Sequence, residues 1–352
     1  MSIPRSTRAV LAAATVAALS ACSGGSQFSP GAGQQSVPQQ SEAKQFPSLG
    51  ALGIEAKTKK PTPLIFAADQ GGQGVPGAVY AYINSGKGQS PVWSLTSGLK
   101  EPAALWVDGS GNLWVGDASG FIYEYATPTS AGPPGKPIAT YSNNGLSMNH
   151  IAVCGDYVYA SDPSIGSNET AGFTVWKTGT EKPVTTVLAS VQASLAGGIT
   201  CNDKTGDVYF MYNTSYFGPA TLYQYGAGGT GNGTQLFPSP QFDSGLTFNQ
   251  AYTLLVLGDN FNSAGPSVEF WKTTGKKPTR TFVNPPHTFI GNPVGFAYEK
   301  GDGELWDADA GNKALYRFKP GNATLENTIT STGGGNVFKN LSDVAASPAD
   351  HT

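Results

Sequence analysis

The sequence predicts an all-β fold, and three observations carry the prediction. Short apolar runs that end on an acidic or amide residue recur every 45 to 51 residues. Turn sequences such as Gly109-Ser110-Gly111-Asn112 separate neighbouring runs, as expected for hairpins. Glycine (46) and proline (25) are abundant among the 352 residues, whereas charged residues make up only 13%. These features are typical of a turn-rich β-protein built from repeats.

Each repeat contains four strand-like runs in a fixed order. A mostly apolar run such as AALWVD at 103–108 comes first, and an aromatic-rich run such as FIYEY at 121–125 comes third. A threonine-rich run such as PVTTV at 183–187 ends the unit. The second run ends on the recurring polar residue, which is Asp69, Asp117, Asp162, Asn213, Asp259 and Asp309 in the six copies. A four-stranded sheet buries both faces only when neighbouring sheets stack on it, so this pattern predicts the blades of a β-propeller.

The two ends of the repeat region predict how the ring closes. The first unit begins at Pro63 with its second run and lacks an innermost strand. A spare run, Asn340 to Ala346, follows the last unit. We therefore expect a six-bladed β-propeller with four strands per blade over residues 63–348. A C-terminal strand would complete blade one and leave no open edge, and residues 349–352 would form a tail.

Two segments resemble known repeats. EPAALWVDGSGNLWVGDASGFIYEY at 101–125 and NPVGFAYEKGDGELWDADAGNKALYRF at 292–318 are similar to NHL-type repeats, in which a turn joins an innermost strand to a strand ending in Asp. This resemblance implies the propeller architecture over about residues 63–348. It implies no activity, because one fold hosts many functions.

The N-terminus resembles a bacterial lipoprotein signal peptide over residues 1–22. Arg5 and Arg8 precede a short apolar stretch, and Leu19-Ser20-Ala21-Cys22 resembles the lipobox. This resemblance implies cleavage before Cys22 and acylation of that residue, with palmitate among the acyl chains. The alternative is an ordinary secretory signal that contains a cysteine. By resemblance to Gram-negative lipoproteins, Ser23 favours an exported protein anchored by lipid in the cell envelope, at the outer membrane or cell surface.

Residues 23–62 are predicted to form a disordered tether. They are rich in Gly, Ser, Gln and Pro, and contain too few apolar side chains to offset the entropy of ordering. The composition excludes a nucleic-acid partner and a transmembrane bundle, so the predicted lipid anchor is the one expected contact with a membrane. A net charge of −3 gives no electrostatic footprint for nucleic acid. No run of 18 or more apolar residues occurs, which excludes a transmembrane bundle. We expect a monomer.

The loops that enter the innermost strands predict a candidate cation site. Asn149, Asn249, Asn292 and Asp343 carry the oxygen ligands that Ca²⁺ or another divalent cation accepts. This arrangement is distantly similar to the gluconolactonase-type propellers, and the resemblance implies a metal-dependent hydrolase or lactonase with its site at the channel mouth. The Glu-Gly-Pro entry of that family is missing, and Glu101-Pro102 stands in its place. Turn capping by the amides is the alternative, and no other cofactor is predicted.

Four further features have competing interpretations. His150 lies at a predicted channel entry and is a candidate general base, or else a polar loop residue. Cys154 and Cys201 align at one level of neighbouring innermost strands, so they form either a disulfide or two small buried thiols. Trp176 and Trp271 either stack on a sugar or pack between blades. The recurring Asp or Asn of each blade is predicted to cap backbone N–H groups in an Asx-type turn.

Two functions from different classes remain after these considerations. The first is a non-enzymatic, lipid-anchored envelope propeller that acts as a binding module for a protein or glycan partner. The second is the metal-dependent hydrolase or lactonase. A lyase of the streptogramin-inactivating kind ranks third, because the histidine pattern of those propellers is not found in this sequence.

Overall fold

The structure is a computed structural model. It describes residues 62–347, apart from 73, 85–89, 144–146, 166–169, 190–194, 214–219, 239–242, 250, 261–263, 285, 300–302 and 320. Cys22 and the rest of the predicted signal peptide lie outside the described residues, as do nearly all of the predicted tether and residues 348–352. Within the described part, no helix has the length and apolar character needed to cross a membrane.

Six antiparallel sheets of four strands each form the blades of the propeller. Blades one to three contain β1 (Leu64–Asp69), β2 (Ala78–Ile83), β3 (Trp93–Leu95), β4 (Pro102–Val107), β5 (Leu113–Asp117), β6 (Phe121–Tyr125), β7 (Ala139–Ser142), β8 (His150–Cys154), β9 (Tyr157–Ile165), β10 (Thr170–Lys177) and β11 (Pro183–Leu188). Blades four to six contain β12 (Leu195–Cys201), β13 (Val208–Asn213), β14 (Ala220–Gly226), β15 (Thr230–Pro238), β16 (Asp243–Phe248), β17 (Leu254–Asp259), β18 (Ser267–Lys272), β19 (Arg280–Val283), β20 (Pro293–Tyr298), β21 (Leu305–Asp309), β22 (Ala314–Lys319) and β23 (Thr324–Ile329). A small hairpin of β24 (Ser331–Gly333) and β25 (Asn336–Val337) precedes β26 (Leu341–Ala346).

The last described strand closes the ring. β26 pairs antiparallel with β1, and Ala67 of β1 lies opposite Val344 of β26. Blade one therefore has the order β26-β1-β2-β3, with its innermost strand supplied by the C-terminus. At the end of this pair, the backbone N–H of Leu64 donates to Ser347 Oγ at 2.7 Å. The predictions of six blades and of closure through residues 340–346 are confirmed.

Buried side chains between neighbouring blades form the hydrophobic core. Trp114, Trp176 and Trp306 are at most 1% exposed, and Trp271 is 3% exposed. Trp176 lies in the cluster that joins blades two and three, and Trp271 lies in the cluster that joins blades four and five. The expectation that Trp176 and Trp271 pack between blades is therefore confirmed, and neither ring is available for stacking on a sugar.

Gly228 allows the outer hairpin of blade four to pack against blade three. A 3-10 turn at Ala227–Gly229 connects β14 to β15, and Gly228 has a φ of 70°. The Gly228 N–H donates to Tyr159 Oη at 2.9 Å, and a Cβ on Gly228 would lie 3.0 Å from the Tyr157 ring. Only glycine combines this left-handed backbone with so close an approach.

Blade five differs from the sequence prediction. Its innermost strand is β16, so Asn249 follows that strand, whereas the sequence interpretation placed Asn249-Gln250 at the strand's entry. Asn249 Oδ1 accepts the backbone N–H groups of Thr253 and Leu254, both at 2.8 Å, and so closes the turn between β16 and β17. The placement of Asn249 at the entry was wrong, because an Asn before an apolar run marks a turn between strands equally well.

Candidate functional site

A cavity of about 460 Å³ opens where the innermost strands end. The final residues of β4, β12, β16, β20 and β26 line it, together with residues of the turns after β12 and β16. These innermost strands contact one another in sequence around the channel. The cavity therefore lies at the mouth opposite to the loops that enter these strands, and we call it the exit-mouth cavity.

Aromatic side chains from three blades contribute to the exit-mouth cavity. Trp106 comes from blade two, Phe248 and Tyr252 come from blade five, and Phe296 and Tyr298 come from blade six. Blades two and five face each other across a ring of six. Aromatic residues therefore approach the channel axis from opposite sides, as expected for a pocket that encloses a ligand rather than supporting it on one face.

Trp106 has a special position among the six tryptophans. It packs against both clusters that flank blade three, and blade three contributes no described residue to the cavity lining. Trp106 thus lines the cavity and also contacts the core on both sides of blade three. The other five tryptophans are at most 7% exposed, whereas Trp106 is partly exposed.

Tyr252 and Asp203 join the turns of two neighbouring blades at the cavity rim. The Tyr252 hydroxyl donates to Asp203 Oδ2 at 2.7 Å. Burial, and then the hydrogen bond to Asp203, raise the pKa of Tyr252, so the hydroxyl keeps its proton in the neutral range. Tyr252 has a φ of 56°, a left-handed conformation that is costly for a residue with a Cβ. Such outliers cluster at functional sites, and this one directs an aromatic ring to the cavity.

At the opposite mouth, the recurring aspartates hold the entries of the innermost strands. Asp117 Oδ2 accepts the N–H groups of Lys100 (2.8 Å) and Glu101 (3.1 Å), and Asp117 Oδ1 accepts that of Ser119 (2.9 Å). Asp69 and Asp309 make the corresponding bonds in blades one and six. Their predicted role as caps is confirmed for these three blades.

The residues predicted to bind a cation do not form one cluster. Asn149 precedes β8 and donates from Nδ2 to the Ala196 carbonyl at 3.2 Å. Asn292 precedes β20, in the blade opposite to that of Asn149, and its backbone N–H donates to Asp309 Oδ1. Asn249 lies at the other mouth, about one strand length, roughly 20 Å, from the entries. The sequence analysis had grouped Asn249 with the entry residues because it placed the innermost strand of blade five after Asn249 instead of before it.

Asp343, the fourth predicted ligand, is buried between three innermost strands. Its Oδ2 accepts the Leu105 N–H of blade two at 2.8 Å, and its Oδ1 accepts the Val344 N–H at 2.8 Å. On the side of blade six, a Cβ added to Gly295 would lie 2.1 Å from Asp343 Oδ1. Burial raises the pKa of Asp343 to about 8, despite the two N–H donors, which lower it. A protonated carboxyl in the channel holds blades one and two together but is a poor ligand for a cation.

This pKa predicts how stability changes with pH. In the unfolded chain Asp343 titrates near 3.9, so between about pH 4 and pH 8 the folded protein holds a proton that unfolding releases. The free energy of unfolding should therefore fall as pH rises through this window, with the full contribution of this group present only below about pH 4. We expect Asp343→Asn to remove up to about 1.4 kcal/mol per pH unit of this slope. Urea denaturation of both proteins from pH 5 to 8 measures it, and parallel profiles would refute the assignment.

His150, the candidate general base, lies at the start of an innermost strand. His150 is the first residue of β8, half-buried, with its backbone N–H bonded to Ser161 Oγ at 3.1 Å.

A disulfide joins Cys154 and Cys201, whose Cα atoms are 6.1 Å apart. The two sulfurs and an oxygen of Asp203 lie close enough together to share a metal ion. Among the described residues, this is the one such group of three or more His, Cys, Asp or Glu side chains. Bonded to each other, the sulfurs are not the thiolates that bind metal.

Comparisons with known proteins support the architecture and go no further. No known family profile matches the chain, and no curated protein matches it. A chain in the crystal structure of a nidogen–laminin complex is similar in structure, with a TM-score of 0.60 and 14% identity over 82% of this chain and 99% of that one. The WD40 propeller domain of Doa1 gives a TM-score of 0.49 with 10% identity, over 77% of this chain and 79% of that one. The chain is thus a six-bladed β-propeller.

Sequence reasoning missed the exit-mouth cavity. Trp106 and Tyr298 stand at the ends of innermost strands, 192 positions apart in the sequence, and no motif links them. A usable signal exists in the repeat itself, because aligned blades place these aromatic residues just before the turn to the second strand. The turn that carries Tyr252 could not be aligned, since the innermost strand of blade five was misplaced.

Proposed function

We propose that this protein is a lipid-anchored binding module of the cell envelope, without catalytic chemistry of its own, that holds its partner at the exit-mouth cavity. The observation that carries the proposal is the aromatic lining of that cavity. Trp106, Tyr252 and Tyr298 are partly exposed there, on walls contributed by different blades. A concave site of about 460 Å³ lined by both aromatic and polar side chains is typical of ligand and partner binding.

The identity of the partner is proposed from a structural precedent. The structurally similar chain was solved in a nidogen–laminin complex, and this supports a protein partner for a propeller of this shape. A glycan remains the alternative that the aromatic residues of the cavity favour. No described residue set supports the hydrolase, since Asn149, Asn249, Asn292 and Asp343 are dispersed along the channel.

The point where the chain enters the propeller suggests how the cavity is presented. Leu64, the first residue of β1, is bonded to Ser347, which follows the cavity residue Ala346. The chain therefore enters the domain on the face that carries the cavity. If the tether predicted for residues 23–62 behaves as a flexible chain, as its composition predicts, its end-to-end distance would be roughly 35 Å. This length supports a module that works near the membrane surface to which Cys22 would anchor it.

A pull-down from envelope extract tests the proposed binding site. We expect the chain from residue 23 onward to retain a partner, and Trp106→Ala to reduce retention at least tenfold. Phe121→Ala is the matched control, because Phe121 is an aromatic residue 37% exposed at the start of β6, on the opposite face. Equal retention by the Trp106 variant, or loss confined to the Phe121 variant, would contradict the site. Thermal denaturation verifies that both variants are folded.

The lipid anchor has its own test. Cys22→Ala should abolish incorporation of labelled palmitate and prevent processing of the precursor. The wild-type chain should fractionate with membranes. A wild-type protein that is processed and secreted without label would contradict the anchor but leave the binding site untouched.

A further inference from the structure

We infer that the exit-mouth cavity recognises an alkylammonium group, the cationic end of a lysine side chain or of a quaternary amine. The inference rests on the proposed function, because it names the chemistry by which the proposed site would recognise its partner. It is carried by two observations: the aromatic lining of the cavity and the excess of negative charge at its mouth.

The aromatic lining is the first observation. Trp106, Tyr252 and Tyr298 line the cavity from three different blades, and the nearly buried rings of Phe248 and Phe296 also contribute to its lining. The π-face of such rings attracts cations, most strongly for tryptophan, and sites for alkylated ammonium groups are built by surrounding the cation with several rings. Apolar methylene or methyl groups on the cation would pack on the Leu105 and Val344 side of the same cavity.

The charge at the mouth is the second observation. Asp203 lines the cavity, and no described Lys, Arg or His does so. The described turns that follow β4, β8 and β12 add Asp108, Asp156 and Asp207, against the single described base Lys204. An excess of negative charge at the mouth of a low-dielectric cleft raises the local concentration of cationic ligands. Anionic ligands are disfavoured for the same reason.

Lys204 provides an internal example of the proposed contact. Its Nζ lies 5.4 Å from the centroid of the Tyr252 ring, so an ammonium group already occupies a cation–π position at the rim. Lys204 is exposed and lies outside the lining. It should therefore compete weakly with a ligand cation, and its removal should strengthen binding.

The test compares isosteric probes on the chain from residue 23 onward. Choline and its neutral isostere 3,3-dimethylbutan-1-ol differ in charge and scarcely in shape. N-acetyl-lysine methylamide presents a primary ammonium, and methyl β-glucoside serves as the sugar probe. Calorimetry gives the affinities, and quenching of tryptophan fluorescence reports the site, because Trp106 is the partly exposed tryptophan. A Trp106→Phe variant should bind with less than threefold loss while losing the fluorescence change.

The expected results separate this inference from the proposed function. A cationic probe should bind at least tenfold more tightly than the neutral isostere. Asp203→Asn, which keeps an acceptor for Tyr252, should weaken binding of the cation at least fivefold, whereas Glu181→Gln, at an exposed residue of the turn after β10 on the same face, should change it less than twofold. Lys204→Gln should strengthen it. Preference for the lysine derivative over choline would identify a protein side chain as the source, and the reverse would identify a quaternary amine.

Other outcomes overturn the inference in distinguishable ways. Equal binding of choline and its isostere, or binding of the glucoside alone, would refute the cation while leaving a functional cavity. Failure of every probe, while Trp106→Ala still abolishes capture of the envelope partner, would likewise refute the cation and retain the proposed function. Failure of every probe together with unaltered capture by Trp106→Ala would overturn both.

Discussion

Ending the chain at Asn340 is expected to abolish cooperative folding of the propeller. The truncation removes β26, and with it the partner strand of β1 and the innermost strand of blade one. Leu341 and Val344 are at most 2% exposed in the cluster that joins blades six and one, so their loss exposes that cluster to water. It also breaks the bond from Leu105 N–H to Asp343, which links blades one and two.

The size of this effect follows from the ring. Each buried aliphatic side chain contributes roughly 1.5–3 kcal/mol by burial alone, and the total stability of a domain is about 5–15 kcal/mol. Losing a strand of the closing blade therefore exceeds what the ring can tolerate. A chain ending at Ser347 is the matched control, since it keeps every residue of β26. Circular dichroism with thermal denaturation measures both. A truncated chain that melts cooperatively within a few degrees of the control would refute closure through β26.

Removing the disulfide is expected to give the second large effect. Cys154 and Cys201 lie at the ends of β8 and β12, and the bond closes a loop with a sequence separation of 47 residues. In the chain-entropy model, closing a loop of this length lowers the entropy of the unfolded chain by an amount equivalent to about 4 kcal/mol. The double variant Cys154→Ala/Cys201→Ala should therefore be about 2–4 kcal/mol less stable than the oxidised protein.

Guanidinium denaturation with and without reductant measures this difference. The reduced wild-type chain should match the double variant, because both lack the cross-link, and the oxidised chain from residue 23 should react with no thiol reagent after denaturation. Two reactive thiols in protein purified without reductant would show that the cysteines are buried separately. In that case reductant should leave the denaturation midpoint unchanged.

The period of the sequence was sufficient to predict the architecture. The polar residue that ends the second strand recurs at Asp69, Asp117 and Asp309 because a carboxylate there satisfies N–H groups at two places in each blade. Because each blade needs the same cap at the same position, the capping residue recurs at a regular spacing. This period can be detected in a single sequence. The closing strand was predictable for the same reason, since an innermost strand missing from the first unit had to be supplied elsewhere.

The site was not predictable to the same degree. The cavity depends on single residues at strand ends, such as Trp106 and Tyr252, which come together only after the ring has closed. Asn249 misled the prediction because its amide stabilises the turn after β16, and such a turn is indistinguishable in sequence from a strand entry. Asp343 was predicted only as a candidate cation ligand, because its contact with blade two and its close approach to Gly295 depend on packing that the sequence does not encode locally.

Hydrogen–deuterium exchange on the protein with its captured partner tests the central claim, that binding takes place where the innermost strands end. We expect binding to slow exchange in the turns at 202–207 and 249–254, which carry Asp203 and Tyr252, and to leave the strand entries at 99–101 and 290–292 unchanged. Slower exchange confined to those entries, or to the outer strands of the blades, would contradict the claim.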